Sequence, residues 1–374
     1  MLLEQHISVE RIGHDVTPLP PLGQRIAFYH AETGGRKLLV AGVLRSVRYN
    51  AAMSERIYSF DPAGDGPLTP VSIDVERPVR WATWRPDGSA CLLVGNRGGA
   101  MLYDPSASGA EACSTVDTNT KHNLRGAAFS PDGSQALLVG NRGAVLHYDG
   151  TAIRELTSPT SENLRRVAWH PAGEFALIIG NGGTVLRYER DSLTPVPGDR
   201  AHTLRAIAWR PDGAYALVGA YASTWAGYPR PHALYKCDGA YLQALLTSDA
   251  EDDFVAIDWH PDGKSALIAG YAYDPTTSPR TRGASAVNKL VTYDGAGFAY
   301  QTVEASTSLL GAAWHPDGHY ALLCGESGLL LRYRNGQVEQ LESGTEDNLV
   351  GPFWQPDGSQ ALILRGPAKR VYTV

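Results

Sequence analysis

The sequence predicts an all-β protein built from repeated four-stranded units, and three observations lead to this prediction. A segment consisting of an aromatic residue, one variable residue and a Pro-Asp-Gly turn recurs along most of the chain. Apolar and polar residues alternate before and after the copies, which is the period of a β-strand. No window of the chain has a convincing helical periodicity.

One aromatic residue anchors each repeat. The anchors are Trp84, Phe129, Trp169, Trp209, Trp259, Trp314 and Trp354. Neighbouring anchors are 40 to 55 residues apart, and a weaker eighth copy over residues 23–42 has Phe28 at this position. A large apolar ring at a fixed place in every repeat is expected to pack between neighbouring sheets.

The other elements of a repeat follow in order. Because Pro presets φ and Gly accepts a positive φ, Pro-Asp-Gly is predicted to form a tight turn after the first strand. The second strand, such as "QALLVG" (135–140), ends in a glycine where a side chain is expected to be excluded. A turn such as "NRG" follows, and its Asn is expected to be a turn residue because Asn tolerates the left-handed conformation and can bond its own backbone. "AVLHYD" (144–149) and "AIREL" (152–156) are examples of the third and fourth strands.

Four-stranded units of 40 to 45 residues are typical of a β-propeller. The sequence therefore predicts a single propeller domain over residues 1–374, with eight blades. The blades are predicted to start near residues 24, 79, 124, 164, 204, 254, 309 and 349. The last copy ends with a third strand at 370–374, and the alternating segment 5–12 is predicted to supply its fourth strand and close the ring. Seven blades, with residues 1–75 as an extension, is the alternative.

The segment "FSPDGSQALLVGNRGAVLHYDG" (129–150) resembles a WD40 repeat. The family has a hydrophobic-Ser-Pro-Asp-Gly run at the end of its first strand and Trp-Asp at the end of its third, where this chain has Tyr-Asp at 103–104, 148–149 and 293–294. Its Gly-His dipeptide is mostly missing here, and its turn aspartate is replaced by Asn96, Asn141 and Asn181. The resemblance covers about 350 residues and implies the propeller fold without implying a chemistry.

Composition narrows the possible partners. Charged residues make up 19% of the chain and the formal net charge is −6, so the protein is not expected to coat nucleic acid. Its four cysteines are far apart and form no Cys-x-x-Cys pair, which argues against a disulfide framework or a zinc site. The N-terminus does not resemble a signal peptide, and no apolar run is long enough to span a bilayer. We expect a cytoplasmic monomer without a cofactor or a membrane partner.

Three long connections between second and third strands point to one functional face. They cover residues 43–56, 220–232 and 271–288, and long loops on a rigid scaffold often carry function. These loops are rich in the residue types of interface hot spots. The residues of these types are Arg45, Arg48, Tyr49, Arg56, Tyr221, Trp225, Tyr228, Arg230, Tyr271, Tyr273, Arg280 and Arg282.

A column of arginines is predicted at the channel mouth on the same face. Four residues before the anchor, four consecutive repeats carry Arg80, Arg125, Arg165 and Arg205. This column resembles the position at which WD40 proteins contact their partners. With Arg97 and Arg142 from the "NRG" turns, the column is expected to form a basic arc that faces the acidic segments 248–253 and 344–347. The alternative is an internal ion-pair network with acids such as Asp258 or Glu162.

Three functions fit these features. The favoured one is a non-catalytic scaffold that binds a protein or an acidic peptide through arginine forks and loop aromatics. The alternatives are binding of a small anion or glycan at the mouth, and a hydrolase or lyase. The chain has no nucleophile elbow, His-Glu-x-x-His motif or phosphate-binding loop.

Few acids or histidines stand where catalysis would need them. Asp258 is the only acid inside a first strand, where burial would shift its pKa. The histidines expected on the functional face are His122, His202 and His232. By contrast, His170, His260 and His315 follow the anchors, one blade apart on the opposite face, and are not expected to bind a common metal ion.

Overall fold

The computed structural model describes residues 26–33, 36–43, 57–64, 66–73, 75, 77–199, 203–221, 233–246, 252–272, 287–303 and 307–366. The chain divides into two compact units, Met1–Met53 and Ser54–Val374. The described part of the first unit is a hairpin of β1 (Ile26–Thr33) and β2 (Arg36–Val43), in which Phe28 pairs with Ala41. Residues 5–12, which the sequence predicts to close the ring, lie outside the described residues.

The second unit is all-β, and its described residues contain no α-helix. Its strands begin with β3 (Ile57–Phe60), β4 (Thr69–Pro70), β5 (Val79–Trp84), β6 (Cys91–Gly95), β7 (Ala100–Tyr103), β8 (Cys113–Thr115), β9 (Leu124–Phe129), β10 (Ala136–Gly140), β11 (Val145–Tyr148), β12 (Ile153–Glu155), β13 (Leu164–Trp169), β14 (Ala176–Gly180), β15 (Val185–Glu189) and β16 (Ser192–Pro195). The remaining strands are β17 (Thr203–Trp209), β18 (Ala216–Tyr221), β19 (Leu234–Cys237), β20 (Leu242–Leu246), β21 (Asp252–Trp259), β22 (Ala266–Ala272), β23 (Val287–Tyr293), β24 (Phe298–Thr302), β25 (Leu309–Trp314), β26 (Ala321–Gly325), β27 (Leu330–Arg334), β28 (Gln337–Gln340), β29 (Leu349–Trp354) and β30 (Ala361–Arg365). Short 3-10 turns lie at Asn96–Gly98, Gly109–Ala112, Asn141–Gly143, Asn181–Gly183 and Glu326–Gly328.

These strands form antiparallel four-stranded sheets, which confirms the all-β prediction. Sheets 1 to 6 each take four consecutive strands, from β5–β8 to β25–β28, and sheet 7 has the order β29-β30-β3-β4. A single pairing of Tyr221 with Asp253 joins sheets 4 and 5 at one end. The first strands contact one another in the order β5, β9, β13, β17, β21, β25 and β29, and β29 in turn contacts β5.

The repeated turns have the conformations that their residues favour. In the Pro-Asp-Gly turns the glycine has a φ of +70° to +77°. The aspartate caps the turn, as where the Ser89 N–H donates to Asp87 Oδ1 over 2.9 Å. At the end of the second strand, a Cβ on Gly95 would lie 2.0 Å from the Pro78 carbonyl oxygen, so this position rejects a side chain.

The anchor aromatics join neighbouring sheets, as their position predicts. The Trp209 indole N–H donates to the carbonyl of Ala168, the residue before the preceding anchor, over 3.2 Å. The same bond links sheet 1 to sheet 7, where Trp84 donates to the Phe353 carbonyl over 3.0 Å. At the next position, His170 Nε2 donates to the Gly213 carbonyl over 3.1 Å. His260 and His315 make the equivalent bonds to the next sheet, so these histidines are structural links.

Sheet 7 departs from the expected strand order. In the structure β30 lies between β29 and β3, with Tyr58 paired to Ile363, and β4 pairs with β3. Residues 57–60 therefore take the place beside β30 that the sequence predicts for 370–374, which lie outside the described residues. Their apolar character explains the pairing, because Ile57, Tyr58 and Phe60 are each at most 3% exposed in this sheet.

Candidate functional site

The four column arginines are the extra residues of β-bulges in four successive first strands. In sheet 1 the pairing with β6 passes from Val79 directly to Trp81, which leaves Arg80 unpaired. The same shift leaves Arg125, Arg165 and Arg205 unpaired in sheets 2 to 4. Because a bulge bends its strand and re-aims a side chain, this local irregularity sets the direction of each guanidinium.

Three of these arginines are held by asparagines from the following turns. The Nε atoms of Arg80, Arg125 and Arg165 donate to the side-chain oxygens of Asn96, Asn141 and Asn181 over 2.9 to 3.0 Å. The terminal amino groups of the three arginines form no hydrogen bond with a described residue. The asparagine therefore fixes each guanidinium without neutralising its charge.

In these turns the residue after the asparagine adopts the left-handed conformation. Arg97 and Arg142 have φ values of 53° and 58°, and Gly182 fills the place in sheet 3. The main-chain N–H groups of Arg97 and Arg142 donate hydrogen bonds to the side-chain oxygens of Asn123 and Asn163, which precede the first strand of the next sheet. Both arginine side chains are exposed, and they are not among the charges that shift the pKa values of the column arginines. The side chains of these two residues are thus not grouped with those of the four column arginines.

Arg205 is supported by an aromatic ring instead of an amide. Its guanidinium carbon lies 4.7 Å from the centre of the Tyr221 ring. Tyr221 in turn shares a hydrogen bond with Tyr271, whose pKa burial raises well above its usual range. Tyr221 and Tyr271 lie in two of the three long connections that the sequence singles out, so the beginnings of these connections lie beside Arg205.

Arg166 is a fifth guanidinium that the sequence analysis missed. Its Nη1 donates to the carbonyls of Arg125 and Arg165 over 2.7 and 2.8 Å. Its guanidinium carbon lies 3.6 Å from the centre of the Trp81 ring, and Trp81 meets Phe353 edge-on at 4.7 Å. The signal was the doubled arginine of "LRRVAW", because a bulge lets two consecutive residues leave the alternating pattern.

The five guanidiniums, Arg80, Arg125, Arg165, Arg166 and Arg205, form what we call the arginine cluster. Burial is the main cause that lowers the pKa of Arg165 to about 10 and that of Arg166 to about 9, and neighbouring arginines add to it. The pKa of Arg125 is lowered for the same reasons. No carboxylate of the described residues forms an ion pair with any of the five. The internal ion-pair network with Asp258 or Glu162 is therefore not seen in this part of the chain.

The predicted acidic side of the face is partly used within the fold. Asp347 forms an ion pair with Arg365, whose Nε lies 3.0 Å from Oδ1, and accepts a hydrogen bond from the Tyr58 hydroxyl at 2.6 Å. Asp253 is only 4% exposed. Residues 247–251 lie outside the described residues, so the acidic segment 248–253 is described only from Asp252 onward.

Asp258 lines a cavity of about 190 Å³ that Arg166 and Trp81 also line. Its Oδ2 accepts the main-chain N–H of Trp314 at 2.7 Å. Burial raises the pKa of Asp258 to about 7, and the N–H groups of Trp314 and Trp259 oppose this shift. The described lining is otherwise mostly small and apolar, with no second acid and no histidine.

The predicted contact residues of the long loops lie outside the described residues. They are Arg45, Arg48, Tyr49, Arg56, Trp225, Tyr228, Arg230, Tyr273, Arg280 and Arg282, together with His202 and His232.

In the described ranges, no three His, Cys, Asp or Glu side chains are close enough to hold a metal ion. The four cysteines are free thiols. No described helix has the length and apolar character needed to cross a membrane. In comparisons with known proteins, no family model and no curated protein matches this chain.

Proposed function

We propose that the seven sheets of the second unit are the blades of a closed β-propeller. The cyclic order of contacts among the first strands supports this arrangement, as does the indole bond from Trp84 to sheet 7. In this proposal β3 and β4 complete the last blade. Seven blades then replace the eight that the repeat count favours.

We further propose that the protein is a non-catalytic scaffold that binds an acidic segment of a partner protein at the arginine cluster. One observation carries this proposal. Three column arginines are fixed through Nε by neutral asparagines, and the cluster has no carboxylate partner among the described residues. Arginine forks held in this way are suited to carboxylate groups from outside the molecule.

The surroundings of the cluster support a binding role more than a catalytic one. Tyr221 supports Arg205 and begins the connection 222–232, whose Tyr, Trp and Arg content is typical of interface hot spots. Nearby Asp258 is the single carboxyl group of its cavity lining. General acid–base chemistry usually needs a second positioned group, which the described lining does not offer.

The proposal is tested with the double variant Arg125→Gln/Arg165→Gln and a fluorescent oligoglutamate peptide as the probe. We expect its affinity to fall by about tenfold or more, because two charge-assisted contacts are lost. The double variant Arg97→Gln/Arg142→Gln is the matched control, since it removes the same amount of charge from exposed turns of sheets 1 and 2.

The control variant should bind within about threefold of the natural protein, which corresponds to less than 1 kcal/mol. Equal weakening by both variants would mean that only the overall charge matters. Undiminished binding by Arg125→Gln/Arg165→Gln, or no binding by the natural protein, would overturn the proposal.

A further inference from the structure

The charge of the arginine cluster sets a requirement on its ligand. Each of Arg125, Arg165 and Arg166 has its pKa lowered by at least two other arginines, so the charges lie within electrostatic reach of one another. Bringing like charges together in a half-buried site is unfavourable unless an anion compensates them. A single carboxylate supplies one negative charge to five positive ones.

The hydrogen-bonding capacity of the cluster points the same way. Arg80, Arg125 and Arg165 repeat one arrangement in three successive strands, with Nε engaged and the terminal amino groups unbonded to described residues. A carboxylate has two oxygens, whereas a phosphoryl group has three terminal oxygens and a charge close to −2 at neutral pH. The three equivalent guanidiniums therefore match the three oxygens of a phosphoryl group better than the two oxygens of a carboxylate.

The base of the cluster limits what can enter. Arg166 bonds two main-chain carbonyls, its guanidinium carbon lies 3.6 Å from the centre of the Trp81 ring, and Trp81 packs against Phe353. Arg166, Trp81 and Phe353 also line the cavity of Asp258, so the cluster is bordered on this side by rigidly packed groups. A compact group on a side chain is therefore favoured over a chain that threads through.

We propose that the group bound by the arginine cluster is a phosphoryl dianion carried by a side chain of the partner protein. This inference rests on the proposed binding function and narrows its ligand from acidic segments in general to phosphorylated ones. Arg80, Arg125 and Arg165 bind the three terminal oxygens, and Arg166 and Arg205 supply further positive charge.

The test uses three short peptides of identical sequence whose central residue is phosphoserine, glutamate or serine, with inorganic phosphate as a competitor. We expect the phosphoserine peptide to bind about tenfold or more tightly than the glutamate peptide. Arg165→Gln should abolish this preference, whereas Arg142→Gln, an exposed turn arginine, should retain it. Thermal unfolding of both variants confirms that they are folded.

The pH dependence gives a second readout. The second pKa of a phosphoserine is near 6, so its peptide should bind about tenfold more tightly near pH 7.5 than near pH 5. Affinity for the glutamate peptide should change little, because its carboxylate is ionised throughout. The charged or titratable groups around the site are the five arginines, Tyr221 and Tyr271 beside Arg205, Asp253 beside Tyr271, and Asp258, which lines a cavity with Arg166. The glutamate peptide reports any contribution from their titration.

The outcomes separate the two proposals. Equal affinity for the phosphoserine and glutamate peptides, lost in Arg165→Gln, would overturn the phosphoryl inference and leave the acidic-segment proposal standing. No binding of any peptide would overturn both. Inorganic phosphate that competes with an affinity equal to that of the phosphoserine peptide would show that the site binds a free anion, and would overturn the assignment to a protein side chain.

Discussion

The main-chain N–H of Trp314 donates to Asp258 Oδ2 across 2.7 Å, so a carboxyl group links sheets 5 and 6. At five other junctions between sheets an anchor tryptophan donates its indole N–H to a main-chain carbonyl. Trp314 Nε1 is buried and has no hydrogen-bond partner among the described residues. This junction is therefore built differently from those five.

Replacing anchor tryptophans by phenylalanine should reveal this difference. Trp209→Phe loses a hydrogen bond to the Ala168 carbonyl, whereas Trp314→Phe removes a donor that has no partner among the described residues. We expect Trp209→Phe to lower the free energy of unfolding by about 1 kcal/mol more than Trp314→Phe. Urea unfolding of the two variants measures this difference, and equal losses would contradict the expectation.

Asp258 should make the protein less stable as the pH rises. Its pKa is raised to about 7 in the folded state from an ordinary value of 3.8, so the folded state binds more protons than the unfolded state between these limits. Stability is then highest near pH 4 and falls up to about pH 7, by on the order of 1 kcal/mol per pH unit. Asp258→Asn should remove this slope, because the amide stays neutral while its oxygen still accepts the Trp314 N–H.

Unfolding by urea at several pH values measures the slope. Asp357→Asn is the control, since Asp357 lies in an exposed turn and its pKa is lowered by the Ser359 N–H and hydroxyl. This control should keep the slope between pH 4 and pH 7. A natural protein whose stability is flat or rises over this range would contradict the assignment to Asp258.

The arginine cluster should cost stability when no anion is bound. Arg165→Gln removes one of several mutually repelling charges, so we expect the free energy of unfolding at low salt to rise by up to about 1 kcal/mol after screening by solvent. Added salt should reduce the gain. Arg154→Gln, which removes an exposed arginine paired with Asp191, should show no gain. Calorimetry at two salt concentrations measures these changes, and a loss of stability in Arg165→Gln would contradict the prediction.

The packing of β3 within sheet 7 should be essential to the fold. The Phe60 ring is 3% exposed and meets Trp354 edge-on at 5.9 Å. Phe60→Ala should cost about 3 to 5 kcal/mol of stability, as expected for a truncated buried aromatic. Tyr300→Ala is the control, because Tyr300 is 54% exposed and its loss should cost about 0.5 kcal/mol or less. Similar effects of the two variants in urea unfolding would contradict the placement of β3.

The sequence predicted the repeat well because each local signal is strong. The Pro-Asp-Gly turns, the glycine at the end of the second strand and the anchor aromatics all depend on residues close in sequence. The partner of β3 could not be predicted in this way. "IYSF" is a short, mostly apolar run that could be a strand of any sheet, and only the edge of β30, about 300 residues away, decides where it pairs.

The candidate site was predicted in part for a similar reason. The four column arginines stand out because they share one place in the repeat. Arg166 was missed because a bulge adds one residue to the strand, so simple alternation no longer tells which side chains share a face. The role of Asn96, Asn141 and Asn181 depends on the approach of two strands, which the sequence of the turn does not reveal.

Sheet 7 also has a consequence for how the protein is made. Tyr58 pairs with Ile363, about 300 residues later, and closing such a loop in an unfolded chain costs roughly 5 kcal/mol of entropy. During synthesis β3 leaves the ribosome long before its partner exists. Ile57 and Phe60 must therefore wait with their apolar side chains unburied, and this is the period in which the nascent chain is most exposed to aggregation.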